Sequence, residues 1–301
     1  PQPPTAPYMM KKIVEKKLAA LRNGSNKILA TLAVFTLAAL PAKAQSLSGL
    51  DLGTAGNYAF VHIGSGTLGW NSGPIAGDVI FGQGLDVSMS GGNNGGLSNG
   101  GILYYDNTTT LGGSLENPPT TQLVSTSVTQ AVANDASSVS SYASSLSATQ
   151  SYTTLENASI TGNGGLNVIA ADIIKKELTI TGTSDDFFVF NVSDVFDSNE
   201  AMILLGGITS DRILFNLTGT GTVFKTAGGN DLKGTFLSTN GGSFQFSNLV
   251  LEGALINTGG GDVQFVSGSS IPTFEPLIVP EPSSAILLGL GLAGTLLRRK
   301  R

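Results

Sequence analysis

The sequence predicts a mainly β chain: an irregular β-solenoid with one long α-helix packed alongside, and short apolar helices at both termini. Three observations predict it. The 40 glycines in 301 residues are nearly double the typical share of ~7%, while charged residues make up only 12%, about half the usual ~25%. Short apolar strings recur between GG and NG turns, as many brief strands require. One segment, 121–150, has neither glycine nor proline and carries a helical stripe instead.

At the N-terminus, Lys11, Lys12, Lys16, Lys17, Arg22 and Lys27 precede the apolar run Ile28 to Leu40, and "PAKAQ" follows. Cations, an apolar stretch and a small-x-small site (Ala42, Ala44, then Gln45) form the three parts of a secretory signal peptide. Residues 1–44 are therefore expected to be a signal peptide with an upstream extension. The run is short for a permanent membrane span.

The body, 45–278, opens with strand-like strings such as "NYAFVHIG" and "GPIAGDVIFGQG". In 121–150, Val124, Val128, Val132, Val139, Ala143 and Leu146 recur at spacings of four, four, seven, four and three, one face of an α-helix at about 122–150. The other face is serine, threonine and asparagine, weak helix formers, so the helix must pack its stripe on a sheet to persist. Residues 151–271 return to strands. Leu178 and Ile180 alternate with Thr179 and Thr181, the period of a half-buried strand. Coils that stack on one another leave few open edges, yet no fixed repeat period can be read.

Charge restricts the partners. Between Gln45 and Val279 the cations are Lys175, Lys176, Arg212, Lys225 and Lys233, five against 19 Asp and Glu, a net charge near −14 compared with −5 for the whole chain. Such a body does not suit nucleic acid, whose phosphates need cations. With no cysteine, disulfides contribute nothing even though export would permit them. His62, in "FVHIG", reads as a packed strand residue. Asp185 and Asp186 read as solvated turn acids, because no calcium loop surrounds them. Trp70, Tyr58, Tyr104 and Tyr105 are able to stack on sugars, although core packing suits each of them. No catalytic set, cofactor motif or metal motif is present, so the chain is not expected to be an enzyme.

The C-terminus reads "VPEPSSAILLGLGLAGTLLRRKR". The apolar stretch 283–297 would make a helix of roughly 22 Å, short of a ~30 Å hydrocarbon core. Arg298, Arg299, Lys300 and Arg301 would hold its tip on the cytoplasmic side. "VPEPSS", an apolar helix and a basic tip, in that order, resemble the PEP-CTERM sorting signal of Gram-negative bacteria. The resemblance implies that an exosortase reads Pro280, Glu281 and Pro282 in the inner membrane. The chain would then be cleaved and released to the cell surface or the extracellular matrix, which is often exopolysaccharide.

"LTITGTSDDFFVFNV", "DRILFNLTGTGT", "LKGTFLST" and "LEGALINTGG" resemble the choice-of-anchor A domain, an adhesive domain similar to ice-binding proteins, over roughly Leu50 to Ile271. The family's usual "GTILAP" reads "GTFLST" here. This resemblance implies an ice-binding-protein-like solenoid with a flanking helix and display at the surface, and it supplies no catalytic residues.

The leading reading is an exported adhesive or structural protein that binds exopolysaccharide or another surface ligand. Its partners would be the secretion machinery, signal peptidase, an exosortase and, through the tail, the membrane. The alternative is an ice-binding protein on the same scaffold. Thr179, Thr181 and Thr183, with Thr218, Thr220 and Thr222, stand at alternate positions that would share one face of a flat strand. A polysaccharide-active enzyme ranks below both. Signal peptidase is expected to leave Gln45 as the mature N-terminus. Intact-mass measurement of the exported protein checks this, and retention of residues 9–44 would contradict it.

Overall fold

The computed structural model describes residues 47–279, apart from residues 72, 91–94, 116–117, 229 and 267. The expected signal peptide with Ala42, Ala44 and Gln45, the motif 280–282, the apolar stretch 283–297 and the cations 298–301 lie outside the described residues, as do both expected terminal helices. No helix among the described residues is long and apolar enough to cross a membrane.

Two 3-10 turns, η1 (Leu47–Leu50) and η2 (Gly53–Asn57), lead into β1 (Phe60–Ile63), β2 (Gly66–Trp70), β3 (Pro74–Ala76), β4 (Val79–Gly82), β5 (Leu85–Met89), β6 (Gly96–Ser98), β7 (Ile102–Asp106), β8 (Thr110–Gly113) and β9 (Thr120–Val124). Helix α1 (Thr126–Ser145) follows. The chain continues through β10 (Gln150–Thr161), β11 (Leu166–Thr181), β12 (Phe187–Ser198), β13 (Met202–Leu205), the turn η3 (Ser210–Arg212), β14 (Ile213–Leu217), β15 (Thr222–Thr226), β16 (Asn230–Ser238), β17 (Ser243–Ser247), β18 (Leu249–Asn257), β19 (Val263–Val266) and β20 (Ser270–Thr273).

Parallel pairing stacks these strands into a three-sided solenoid. Face A runs β9-β7-β4-β1-β18-β16-β14-β12-β11-β10. Face B runs β8-β5-β2-β19-β17-β15 and then along the later parts of β12, β11 and β10. Face C carries β6-β3-β20 with the first residues of β18 and β16, and β13 beside the ends of β11 and β10. The long strands turn the corners on bulges, such as the register shift between Glu156 and Ala158, with Asn157 and Lys176 at positive φ.

The winding order is unusual in one respect. The described chain enters face A in its middle, at β1, and coils outward to β9. It returns along the outside as α1, starts again at β10 on the opposite end, and coils inward until β18 pairs with β1. At this seam the corner leaves no room for a side chain: a Cβ on Gly66 would lie 2.2 Å from the carbonyl oxygen of Gly261.

Face A is buried on both sides, so its strands read as continuous apolar runs: β1, β4 and β14 are buried at every position. Alternate residues point inward. Phe60, Leu255, Phe236, Phe215, Phe190 and Ile169 occupy successive rungs. The rings of Phe190 and Phe215 stack at 4.8 Å and those of Phe215 and Phe236 at 4.5 Å, close to the ~4.8 Å rung spacing, so ring stacking and backbone pairing reinforce each other. The intervening residues Ile80, Val61, Ile256 and Leu237 point outward and are covered by Val132, Ala136, Val139 and Ala143 of α1 and by Leu50 and Ala55.

The helix is shorter than the expected 122–150. Gln122–Val124 pair with Tyr104–Asp106 as strand, and Leu146 leaves the helix with an extended backbone. Val124 therefore reaches the cluster beneath the helix from β9. Val128 is 38% exposed, because Thr129 takes the buried place in the first turn, where its hydroxyl donates to Asp106 at 2.7 Å.

Replacing Val132, 1% exposed, by Asp is expected to destabilise the protein by about 3–5 kcal/mol, the order of an unpaired buried charge. Val128→Asp should stay within about 0.5 kcal/mol. Chemical denaturation of both variants checks this, and equal midpoints would show that the stripe does not hold the helix.

Candidate functional site

With face A covered, faces B and C are the surfaces the solenoid presents outward. On face B one outward row crosses successive rungs as Glu156, Lys175, Asp197, Lys225, Gln245, Gln264 and Gly69. Its charges alternate, and Lys225 Nζ lies 3.9 Å from Asp197 Oδ2. Both side chains are well exposed, so the pair contributes little to stability; what it provides is a mixed-charge surface. A row made of side chains from separate coils is invisible in a linear reading.

The six threonines divide between faces. Thr179 and Thr181 stand outward on face C, beside Ser159 and Thr161 of β10 and Ile203 and Leu205 of β13. Thr183 has left the strand: its backbone N–H and hydroxyl both donate to Asp186. Thr218, Thr220 and Thr222 do not share a strand either. Thr218 and Thr220 lie in the connection between β14 and β15, Thr222 opens β15, and the Thr218 hydroxyl donates to the Val192 carbonyl. The spacing is that of a strand, but the glycines between these threonines turn the chain from face A to face B. Further along face C, Lys233 Nζ pairs with Glu252 at 2.6 Å, which ends the hydroxyl-bearing patch.

The aromatics singled out in the sequence pack on the body to different degrees, with Tyr58, Tyr104 and Tyr105 half-buried. Trp70 is fully buried, and Tyr58 packs edge-on against Tyr104 at 5.8 Å. Asp185 is exposed, but the expectation of solvated acids fails for Asp186, which is 2% exposed. Its carboxylate accepts from the Gly164 N–H, Asn167 Nδ2, the Thr183 N–H and the Thr183 hydroxyl. Asp106 does the same near the other end, accepting from the Gln83 and Thr108 N–H groups and from the hydroxyls of Thr108 and Thr129. Burial opposes ionisation of each, but the donors outweigh it and hold both carboxyls below the usual range. Among the described residues no three His, Asp or Glu side chains converge as metal ligands.

His62 is fully buried at the seam, in register with Asn257 and Phe81. Neither ring nitrogen has a partner of hydrogen-bonding geometry; the backbones of Asn257 and Thr67 favour the cation only weakly. Desolvation dominates and lowers its pKa to about 4.

The last described residues are fastened to the body. The Ser210 hydroxyl lies 2.9 Å from both Glu252 Oε1 and Glu275 Oε2. The Ile278 N–H donates to the Asp211 carbonyl, and Leu277 and Val279 pack against the cluster beneath α1.

Residues 279–301 match the PEP-CTERM protein-sorting motif. The chain carries a PEP-CTERM sorting motif. Val279, the first residue of that match, is also part of the folded body. The solenoid is similar to an ice-binding protein from an Antarctic Flavobacteriaceae bacterium, with a TM-score of 0.55 and 20% identity over 76% of this chain and 48% of that one. This chain thus spans about half the length of that protein. It is also similar to the DUF3494 domain of Shewanella frigidimarina ice-binding protein 1 (TM-score 0.55, 16% identity, 76% of this chain and 98% of that one). An ice-binding protein from an Arctic yeast gives a TM-score of 0.51 at 17% identity, over 78% of this chain and 96% of that one. The body has an ice-binding-protein-like fold. No curated protein sequence matches the chain.

Acid is expected to destabilise the protein in two stages. The unfolded His62 takes its proton near pH 6.5 and the folded one near 4, so stability is full above 6.5 and falls by roughly 3 kcal/mol toward pH 4. Asp106 and Asp186 contribute stability that is present above ~3.9 and lost as pH falls through their lower folded values. Denaturant midpoints measured against pH check this. His62→Phe should remove the first stage alone.

Proposed function

We propose that this chain is an exported, non-enzymatic adhesive or structural protein of the cell surface or extracellular matrix, with a body of the choice-of-anchor A kind. The observation that carries the reading is the PEP-CTERM motif at 279–301, whose first residue, Val279, packs against a folded, acidic solenoid. In this reading signal peptidase acts first. The apolar stretch 283–297 and Arg298, Arg299, Lys300 and Arg301 then hold the chain in the inner membrane of a Gram-negative bacterium. An exosortase recognises Pro280, Glu281 and Pro282, and the body passes to the surface. The mixed rows of faces B and C suit contact with a hydrated polymer.

Ice binding is the second reading, favoured by the fold likeness and by the patch of Ser159, Thr161, Thr179 and Thr181. The patch spans only two rungs, and the charged row on face B offers no regular hydroxyl array, so surface adhesion is preferred. The purified protein is expected to be inactive in an ice-recrystallisation assay, and strong inhibition there would reverse the preference.

Glu281→Ala should leave export intact but trap the protein, tail attached, in the inner membrane. Fractionation with an antibody against the body checks this. Wild type that stays in the inner membrane with Arg301 still attached, in a strain that makes an exosortase, would show the tail to be a plain anchor.

A further inference from the structure

The inward side chains of face A form columns that cross every rung from β9 to β10. One column starts at Leu123, passes through Phe81, His62 and Val192, and ends at Tyr152. Phe81, His62 and Val192 are fully buried, but Leu123 is 60% exposed and Tyr152 38%. Both stand at core positions and meet solvent because they lie on the outermost rungs. Among the described residues β9 pairs only with β7, and β10 only with β11. The neighbouring inward column ends in two polar residues, Thr121 and Gln150.

Both ends of face A are thus open strand edges. Edges are commonly blunted by charged side chains or proline, yet residues 120–124 and 150–155 contain neither. In a body with a net charge near −14, these edges are places where two copies meet without opposing like charges. Every strand of the face runs in the same direction, so a copy shifted along the solenoid axis presents its β10 parallel to β9. Helix α1 does not stand in the way. It is fastened to β7 through Thr129 and Asp106, and to β12 through Ala143 and Asn191, two rungs before β10.

We propose that the two ends of face A bind each other between copies of this chain: β9 of one copy receives β10 of the next, head to tail. In register, Leu123 meets Tyr152 and Thr121 meets Gln150. Apolar joins apolar, polar joins polar, and the inward columns continue through the contact. A slip of one residue would turn Tyr152 to the outside. The free backbone groups of both edges pair as in any parallel ladder. Because the two surfaces differ, the contact is heterologous and repeats without closing, which makes a filament. β9 lies one turn of the coil beyond β8, so contact is confined to face A. Its area belongs to the small class that associates weakly. The proposal goes beyond the adhesive reading and holds or fails independently of it.

The test is sedimentation equilibrium of the full exported chain at concentrations up to about 1 mM, where a weak contact is populated. The mean mass of the wild type should rise past that of a dimer. Leu123→Lys spoils only the β9 end and Tyr152→Lys only the β10 end. Each variant alone should therefore stay monomeric, and an equimolar mixture should form dimers and nothing larger. Both positions are exposed, and unchanged melting temperatures would confirm folding. Cross-linking gives a second measurement, since the chain has no cysteine. Facing residues on paired strands stand ~4.8 Å apart, within disulfide reach. Leu123→Cys combined with Tyr152→Cys should oxidise to a ladder of linked copies, whereas either substitution alone should stop at the dimer. A monomeric wild type, a wild type that stops at a dimer, a mixture that stays monomeric or the lack of a ladder would each overturn the proposal. So would association that survives both lysine substitutions, as contact through the apolar tail would.

Discussion

The burial of face A beneath α1 is the contact on which the rest of this architecture depends. The solenoid cannot be completed by coiling in one direction, because the described chain enters at its middle. After β9 it must travel back past the whole sheet, and an extended return would leave a long row of backbone groups to be satisfied elsewhere. A helix satisfies most of its own hydrogen bonds. Its valines and alanines then convert the outer side of face A, an apolar surface that would otherwise meet water, into a second core.

Apolar contact alone would let the helix slide along the sheet, since valine and alanine fit many registers. Polar contacts fix its position. Thr129 meets Asp106 near the start of α1, Asp135 accepts from Thr54, and Ser140 and Ala143 meet Asn216 and Asn191 near its end. Asp106 and Asn216 are themselves buried, so losing a partner exposes the full desolvation penalty of the one left behind.

Much of this architecture was legible in the sequence, and what was not has identifiable causes. Glycine-bounded apolar strings gave short strands, and the valine stripe gave the helix, because both depend on nearest-neighbour spacing. The repeat period was not legible: the stacked positions Ile169, Phe190, Phe215, Phe236 and Leu255 are separated by 21, 25, 21 and 19 residues, since each corner uses a different turn or bulge. For the same reason the spacing of Thr218, Thr220 and Thr222 is that of a strand although these residues form a corner, whereas Thr179 and Thr181 do share one face of β11.

The seam between β1 and β18 also determines how the molecule bears a mechanical load. A body held by its C-terminus receives force at residue 279, which lies next to the middle coils rather than at a free end of the solenoid. Tension first meets the fastenings of Glu275 and Ile278 to Ser210 and Asp211, then β20, and then β18, which pairs with β16 along its length and with β1 through its last three residues. Rupture there would divide the stack into two half-solenoids joined by α1, instead of fraying it coil by coil. The helix that closes the core would then serve as the tether that lets the two halves find each other again.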